Sequence, residues 1–164
     1  MVCKHARLIT FSLVILFLLI LTGAALANTM EQPVTPPTEG VPAGSTVGLT
    51  VENDIGINSF QYLADAGCSI EPGSAEAVIL KGYTISYSAV DYVGLRLYLQ
   101  KWDGSSWVDQ SSWLFDQPNS NRVDGYKTVY VQGGAYYRSR AYHYVKEGSV
   151  TEPKDTVSQY IYVP

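Results

Sequence analysis

The clearest pattern along the chain is a strict alternation of apolar and polar residues in the segment VGLRLYLQKW. Odd positions from Val93 to Leu99 are apolar, whereas even positions from Arg96 to Trp102 are polar or aromatic. A period of two residues is typical of a strand with one face on a core and the other towards solvent. The pattern therefore predicts a half-buried β-strand whose outer face is polar and aromatic.

A turn signal follows this strand directly. Asp103-Gly104-Ser105-Ser106 combines residues that favour tight turns, and Trp107–Leu114 returns with strand-like composition. Two strand patterns joined by such a short polar segment predict a β-hairpin over residues 93–114.

The rest of the domain shows shorter strand patterns separated by turn chemistry. Strands are predicted at Val78–Val90, Tyr126–Gln132, Tyr136–Val145 and Val157–Val163, with Ile161 and Val163 facing inward. The intervening loops are Gln117–Asp124, Gly133-Gly134 and Gly148–Pro153, and Gln61–Ala66 is expected to form at most one helical turn. Six or seven short strands without a sustained helical period predict an all-β fold: a single antiparallel β-sandwich, immunoglobulin-like in general architecture.

The N-terminus has the three zones of a secretory signal. Lys4 and Arg7 precede an apolar run that ends near Leu21, and Ala25-Leu26-Ala27 fits the small-x-small pattern of a cleavage site. We expect residues 1–27 to form a signal helix that is cleaved after Ala27, so that the protein is secreted and meets the membrane only transiently.

An uncleaved N-terminal membrane anchor is the alternative. Leu8 to Leu26 covers 19 residues, and a spanning helix needs about 20. The polar residues after Ala27 favour cleavage. Residues 28–47 are rich in Pro, Thr and small side chains, which predicts a flexible linker before a domain at 48–164.

Composition narrows the possible partners and the means of stabilisation. Nine basic and fifteen acidic residues follow Ala27, a net charge of −6, and this balance argues against a nucleic-acid partner. Arg138 and Arg140 form the nearest approach to a basic patch, and we expect nearby carboxylates to pair with them. Cys68 is the only cysteine after Ala27, so packing must stabilise the domain without an intramolecular disulfide. Cys68 is either a small buried side chain or a thiol that pairs with another chain.

Two stretches of the chain resemble a known family. One is the strand DYVGLRLYLQKW followed by DGSSW, and the other is YYRSRAYHYV, which precedes an acidic loop and a short last strand. From about Val78 to the C-terminus the chain resembles a family of small secreted proteins of Gram-positive bacteria classed as a domain of unknown function. The resemblance implies a secreted β-sandwich and brings no activity with it. Cys68 is not a feature of that family.

The sequence contains few candidate residues for catalysis or metal binding. His143 is the only histidine after Ala27 and alternates with Ala141 and Val145, which favours a packed or hydrogen-bonded position over a catalytic one. A zinc site needs three or four closely spaced ligands, and the oxygen-bearing residues of 116–124 lack the ordered pattern of a calcium loop. We therefore predict no enzyme activity, no metal and no cofactor.

Aromatic residues are the strongest functional signal. Thirteen Tyr, three Trp and two Phe follow Ala27, and alternation places Tyr98 and Trp102 on the outer face with Trp107 just across the turn. Tyr98, Trp102 and Trp107 are therefore the candidates for contact with a ligand, either a cell-wall carbohydrate or a protein. For Trp102 and Trp107 we favour the alternative, that they pair across the hairpin and only stabilise it.

The sequence leaves two orientations open for a second face. Tyr136–Tyr144 carries aromatic and arginine side chains on alternate positions, and this face either binds a partner or belongs to the inside of the sheet. The function expected is a secreted, non-enzymatic binding module at the cell surface or envelope. The alternative is an envelope-associated hydrolase or inhibitor whose site is built from dispersed residues.

Overall fold

The computed structural model describes residues 35–38, 60–74 and 76–164. Strands make up 81% of this part, and it contains no helix, so none that could cross a membrane. The all-β prediction is confirmed. The expected signal helix lies outside the described residues, as does most of the linker.

Five strands are present in the described part of the chain. They are β1 (Leu63–Pro72), β2 (Ala77–Trp102), β3 (Trp107–Tyr130), β4 (Ala135–Glu147) and β5 (Val150–Val163). All pairings are antiparallel and join the strands into one sheet. The N-terminal half of β2 lies between β1 and β3, and its C-terminal half lies between β3 and β4, with β5 beyond β4.

The sheet curls because its longest strand is interrupted. The register between β2 and β3 shifts between Ile85 and Val90, where Ser86–Ala89 stand opposite Asn121. Extra residues on one strand bend it and increase its twist. The bend folds the first half of the sheet over the second, so that β1 contacts both β4 and β5. The inner face of this curl holds the core, and the outer face meets solvent.

The alternation that predicted the central strand is confirmed. Val93, Leu95 and Leu97 are 0% exposed and Leu99 is 2% exposed. Ile161 and Val163 of β5 also face inward, at 5% and 7% exposure. Burying each such side chain contributes about 1.5–3 kcal/mol. They pack against a second set of buried residues from the other half of the curl, namely Leu63, Ala66, Ile70, Val78, Leu80 and Val123.

The hairpin turn forms as the sequence predicts. The Asp103 carboxylate accepts hydrogen bonds from the backbone N–H groups of Ser105 and Ser106, at 2.8 and 2.7 Å. These two bonds and the Ser105 hydroxyl lower the pKa of Asp103 to about 2. Gly104 has φ +102, a conformation that side chains disfavour.

Three of the predicted irregular segments are wrong. Gln117–Asp124 belongs to β3, Gly148–Pro153 is a turn only at its start, and most of Gln61–Ala66 already belongs to β1. Within the described residues, β3 pairs with β2 on one edge only, and an edge strand tolerates a proline such as Pro118.

Candidate functional site

The predicted ligand-contact aromatics lie at the β2–β3 hairpin end but differ in accessibility. Trp102 is 3% exposed and packs on Trp107 with ring centroids 5.4 Å apart. This contact is the cross-hairpin pairing that was the alternative for these two residues. Trp102 and its neighbour Gln100, at 6% exposure, are therefore buried rather than solvent-facing, although their alternation places them in the outer rows of β2.

Trp107 begins a longer series of rings that crosses the outer face of the sheet. Its centroid lies 5.9 Å from that of Tyr160, Tyr160 lies 5.8 Å from Tyr136, and Tyr136 lies 4.9 Å from Tyr162. The β4–β5 register produces this order, because it pairs Tyr136 with Tyr162 and Arg138 with Tyr160. We call Trp107, Tyr160, Tyr136 and Tyr162 the aromatic strip. The second face of the sequence prediction is thus an outer face.

Two arginines of β4 cover rings on the same face. The Arg138 guanidinium carbon lies 4.4 Å from the centroid of Trp107, and that of Arg140 lies 4.1 Å from the centroid of Tyr98. The planar guanidinium cation is attracted to the face of an aromatic ring at such distances. The aromatic strip, Tyr98, Arg138 and Arg140 together form what we call the aromatic–arginine face.

Hydrogen bonds hold both arginines in place. Arg140 pairs with Asp155 at 3.0 Å and with Asp109 at 3.3 Å, which confirms the predicted pairing with carboxylates for this arginine. Arg138 Nε donates to the Gln100 side-chain oxygen at 2.7 Å. Gln100 in turn donates to Asp109 at 2.7 Å. The network fixes the guanidinium groups and balances part of their charge.

A groove lies on the other half of the outer face, across β1, β2 and β3. Its volume is about 560 Å³. The residues that line it include Asp65, Gly67, Cys68, Ser69, Lys81, Tyr83, Asp124 and Tyr126. We call this the transverse groove, because it runs across the strands. None of the three predicted aromatics lines it.

Polar contacts order the walls of the transverse groove. The Tyr83 hydroxyl donates to Asp65 at 3.1 Å, and burial followed by this carboxylate raises the pKa of Tyr83. Lys81 pairs with Glu71 at 2.7 Å. The Arg122 guanidinium donates twice to Asp124. Tyr83 therefore remains a protonated donor at neutral pH.

The interior of the curl contains a chain of polar side chains. His143 is 0% exposed, and its Nδ1 and Nε2 lie 2.8 Å from the hydroxyls of Thr84 and Thr156 respectively. Burial, with a smaller contribution from the Lys154 charge, lowers the pKa of His143 to about 4. The expectation of a packed, hydrogen-bonded histidine is confirmed, and the ring is neutral at pH 7.

Cys68 ends this buried chain. Its sulfur lies 3.3 Å from Thr156 Oγ1 and 3.7 Å from the Ser139 carbonyl oxygen. Burial raises the pKa of the Cys68 thiol, which disfavours the reactive thiolate. The side chain lies on the inner face of β1 and is half-buried, which is closer to the first of the two expectations for it than to the second.

The oxygen-bearing residues of 116–124 lie along β3 rather than in a loop. The Asp124 carboxylate accepts hydrogen bonds from the Arg122 guanidinium, and these bonds lower the pKa of Asp124. Among the described residues, no three His, Cys, Asp or Glu side chains come close enough together to hold a metal ion.

Comparison with known proteins finds no matching family model, no matching curated protein and no matching solved structure.

Sequence reasoning missed two parts of the outer surface. Tyr160 and Tyr162 alternate with the inward Ile161 and Val163, so the pattern already placed them outside, but only the β4–β5 register shows that they join Tyr136. The transverse groove combines residues from three strands, and β1 was not predicted as a strand.

Proposed function

We propose that this protein is a secreted, non-enzymatic binding module that acts at the cell surface or envelope and binds a protein partner through its aromatic–arginine face. Nucleic acid is not a partner in this proposal, and the membrane is met only during export. The two halves of the curled sheet enclose one core. A sandwich-type scaffold, immunoglobulin-like in general architecture, and kinship with the Gram-positive secreted family remain parts of the proposal.

The observation that carries the proposal is a continuous series of four rings, joined by three contacts, from Trp107 to Tyr162. The strip lies beside two arginines held by hydrogen bonds, and Tyr162 is 52% exposed. Tyrosine, tryptophan and arginine are enriched among the residues that dominate protein–protein affinity. Ordering these side chains in advance reduces the entropy lost on binding.

The ring geometry favours a protein over a sugar on this face. Sugar stacking requires an open ring face, but Trp107 lies between Trp102 and Arg138, and Arg140 covers Tyr98. The rings of the strip are tilted by 41° to 88° relative to one another. They present edges, hydroxyls and guanidinium groups, which suit the irregular surface of a protein.

Substitution of two strip tyrosines tests this proposal. We expect the immobilised protein to retain specific partners from an envelope extract. The double variant Tyr136→Ser/Tyr162→Ser should bind the identified partner about 30-fold more weakly, because each substitution removes interface contacts. Surface plasmon resonance with the purified partner measures the change.

Tyr87→Ser provides the matched control, since Tyr87 is 66% exposed but lies at the bend of β2, outside the strip. Equal loss in this control would contradict the proposal, as would retention of the same partners by the double variant. Binding to purified peptidoglycan that Tyr136→Ser/Tyr162→Ser abolishes would show that this face takes carbohydrate instead.

A further inference from the structure

We propose that the transverse groove is a second binding site, and that it takes one neutral pyranose unit of a carbohydrate. The site is separate from the aromatic–arginine face, because it lies across β1 and the N-terminal half of β2. The two proposals therefore succeed or fail independently.

The shape of the groove follows from the register of three strands. One row of outer side chains runs Gly67, Tyr83, Asp124, and the next runs Ser69, Lys81, Tyr126. Rows on one sheet face repeat every second residue, about 7 Å apart. A trough therefore remains between them, and its volume of about 560 Å³ falls within the range of small-ligand sites, roughly 300–1,000 Å³.

Gly67 makes room for the Tyr83 ring at the β1 end of this trough. It has no side chain, so the ring packs over it. A Cβ added at Gly67 would lie 3.1 Å from both Cε1 and the hydroxyl oxygen of Tyr83. The Tyr83 side chain therefore extends along the sheet towards β1, where its hydroxyl donates to Asp65, and does not project into the groove.

The walls offer the two kinds of contact that a sugar ring uses. Tyr126 is 58% exposed, and an aromatic ring provides an apolar surface for the C–H face of a pyranose. Asp65 accepts from Tyr83 and from the backbone N–H of Ala66, and a carboxylate can accept about four hydrogen bonds. The Lys81 ammonium group has three N–H donors, and its two contacts with Glu71 leave one for a ligand. Sugar hydroxyls can therefore meet both an acceptor and a donor.

Charge selects a neutral ligand over an anionic one. Asp65 and Asp124 line the groove, Arg122 neutralises Asp124, and Glu71 neutralises Lys81. One negative charge remains, on Asp65. Phosphate, sulfate and uronate groups would meet this carboxylate, whereas the hydroxyls of a neutral sugar would donate to it.

Titration with defined oligosaccharides tests the site. Chitohexaose and maltohexaose serve as neutral probes and a galacturonate hexamer as the anionic one, with backbone amide shifts followed by NMR. We expect at least one neutral probe to shift resonances of the groove at millimolar concentration, and the anionic probe to leave them unchanged. Tyr126→Ala and Asp65→Asn should each weaken neutral binding about tenfold.

Tyr130→Ala is the matched control, because Tyr130 lies on the same strand and the same face, is 80% exposed, and does not line the groove. Unchanged affinity in this variant and in Tyr162→Ser is expected. The proposal is overturned if neither neutral probe shifts groove resonances, if Tyr130→Ala weakens binding as much as Tyr126→Ala, or if the galacturonate hexamer binds more tightly.

Discussion

His143 lies on the inner face of β4, where a single ring meets two threonine hydroxyls. Thr84 lies at Nδ1 and Thr156 at Nε2, each at 2.8 Å. A neutral imidazole has one N–H donor and one acceptor nitrogen, so one threonine hydroxyl accepts from the ring and the other donates to it. Two threonines thus satisfy the buried neutral ring, and a protonated ring would carry a charge in the interior.

This environment predicts a pH-dependent stability. The pKa of His143 is lowered from 6.5 to about 4, so between these values the unfolded chain binds a proton that the folded protein does not. The free energy of unfolding should be constant above pH 6.5 and fall by about 3 kcal/mol as pH drops to 4. Denaturant unfolding at several pH values measures the slope.

His143→Gln serves as the comparison for this slope. The variant should be less stable at pH 7, because it loses at least one buried hydrogen bond worth about 1–3 kcal/mol. Between pH 6.5 and 4 its stability should decline less than that of the original protein. Parallel pH profiles for the two proteins would show that other groups cause the decline.

At the scale of elements, β1 depends on a contact from the far side of the sheet. The Glu152 carboxylate of β5 is 8% exposed and accepts hydrogen bonds from the backbone N–H groups of Gln61, Tyr62 and Leu63, at 2.6, 2.8 and 2.7 Å. The β1–β2 register is irregular between Leu63 and Asp65. The carboxylate thus accepts from the backbone donors at the start of β1 and links this strand to β5, a contact that we call the Glu152 tie.

Glu152→Gln tests this tie. An amide has one acceptor oxygen and adds an N–H group that faces the three donors, so we expect the free energy of unfolding to fall by about 2–3 kcal/mol. Glu71→Gln breaks an ion pair whose side chains are 45% and 48% exposed and should change stability by less than about 0.5 kcal/mol. Similar losses in both variants, measured by urea unfolding, would argue against the tie.

The elements that the sequence predicted well are those whose side chains alone determine their position. Val93 to Leu99 alternate strictly and lie inside, as predicted. β1 was missed because LADAGCSIEP combines small and acidic residues with glycine, and only its contacts with β2 and Glu152 make it a strand. Gln117–Asp124 has loop composition but follows the long β2 as an edge strand.

The candidate site was predictable to the same extent. Alternation assigned Tyr98 and Trp102 to one face, but it could not show that Trp107 would cover Trp102 or that Arg140 would cover Tyr98. These contacts come from strand register. The approach of β5 to β4 likewise brings Tyr160 and Tyr162 to Tyr136, and no local pattern specifies this.

At the scale of the whole molecule, β2 belongs to both halves of the curl. Its first half pairs with β1 and its second half with β4, and the two halves share one core. Neither half can bury its apolar face without the other. The described strands should therefore unfold as a single cooperative unit, as small single domains usually do.

Two probes in different strands can test this cooperativity. All three tryptophans, Trp102, Trp107 and Trp113, lie in β2 and β3, whereas the Cys68 thiol lies in β1, where it contacts β4 and β5. Tryptophan fluorescence and thiol labelling should give the same urea midpoint in the chain from Asn28 onwards, in which Cys68 is the only thiol.

Cys68→Ala shows whether the thiol itself affects unfolding. The fluorescence transition of this variant should keep the same slope and have a slightly lower urea midpoint. Labelling of Cys68 well before the fluorescence change would mean that β1 opens while the hairpin end stays folded. The curl would then consist of two units of different stability. Coincident transitions would instead show that the contacts of β1 with β4 and β5 are as stable as the long β2–β3 hairpin, which is expected if the shared core holds both halves together.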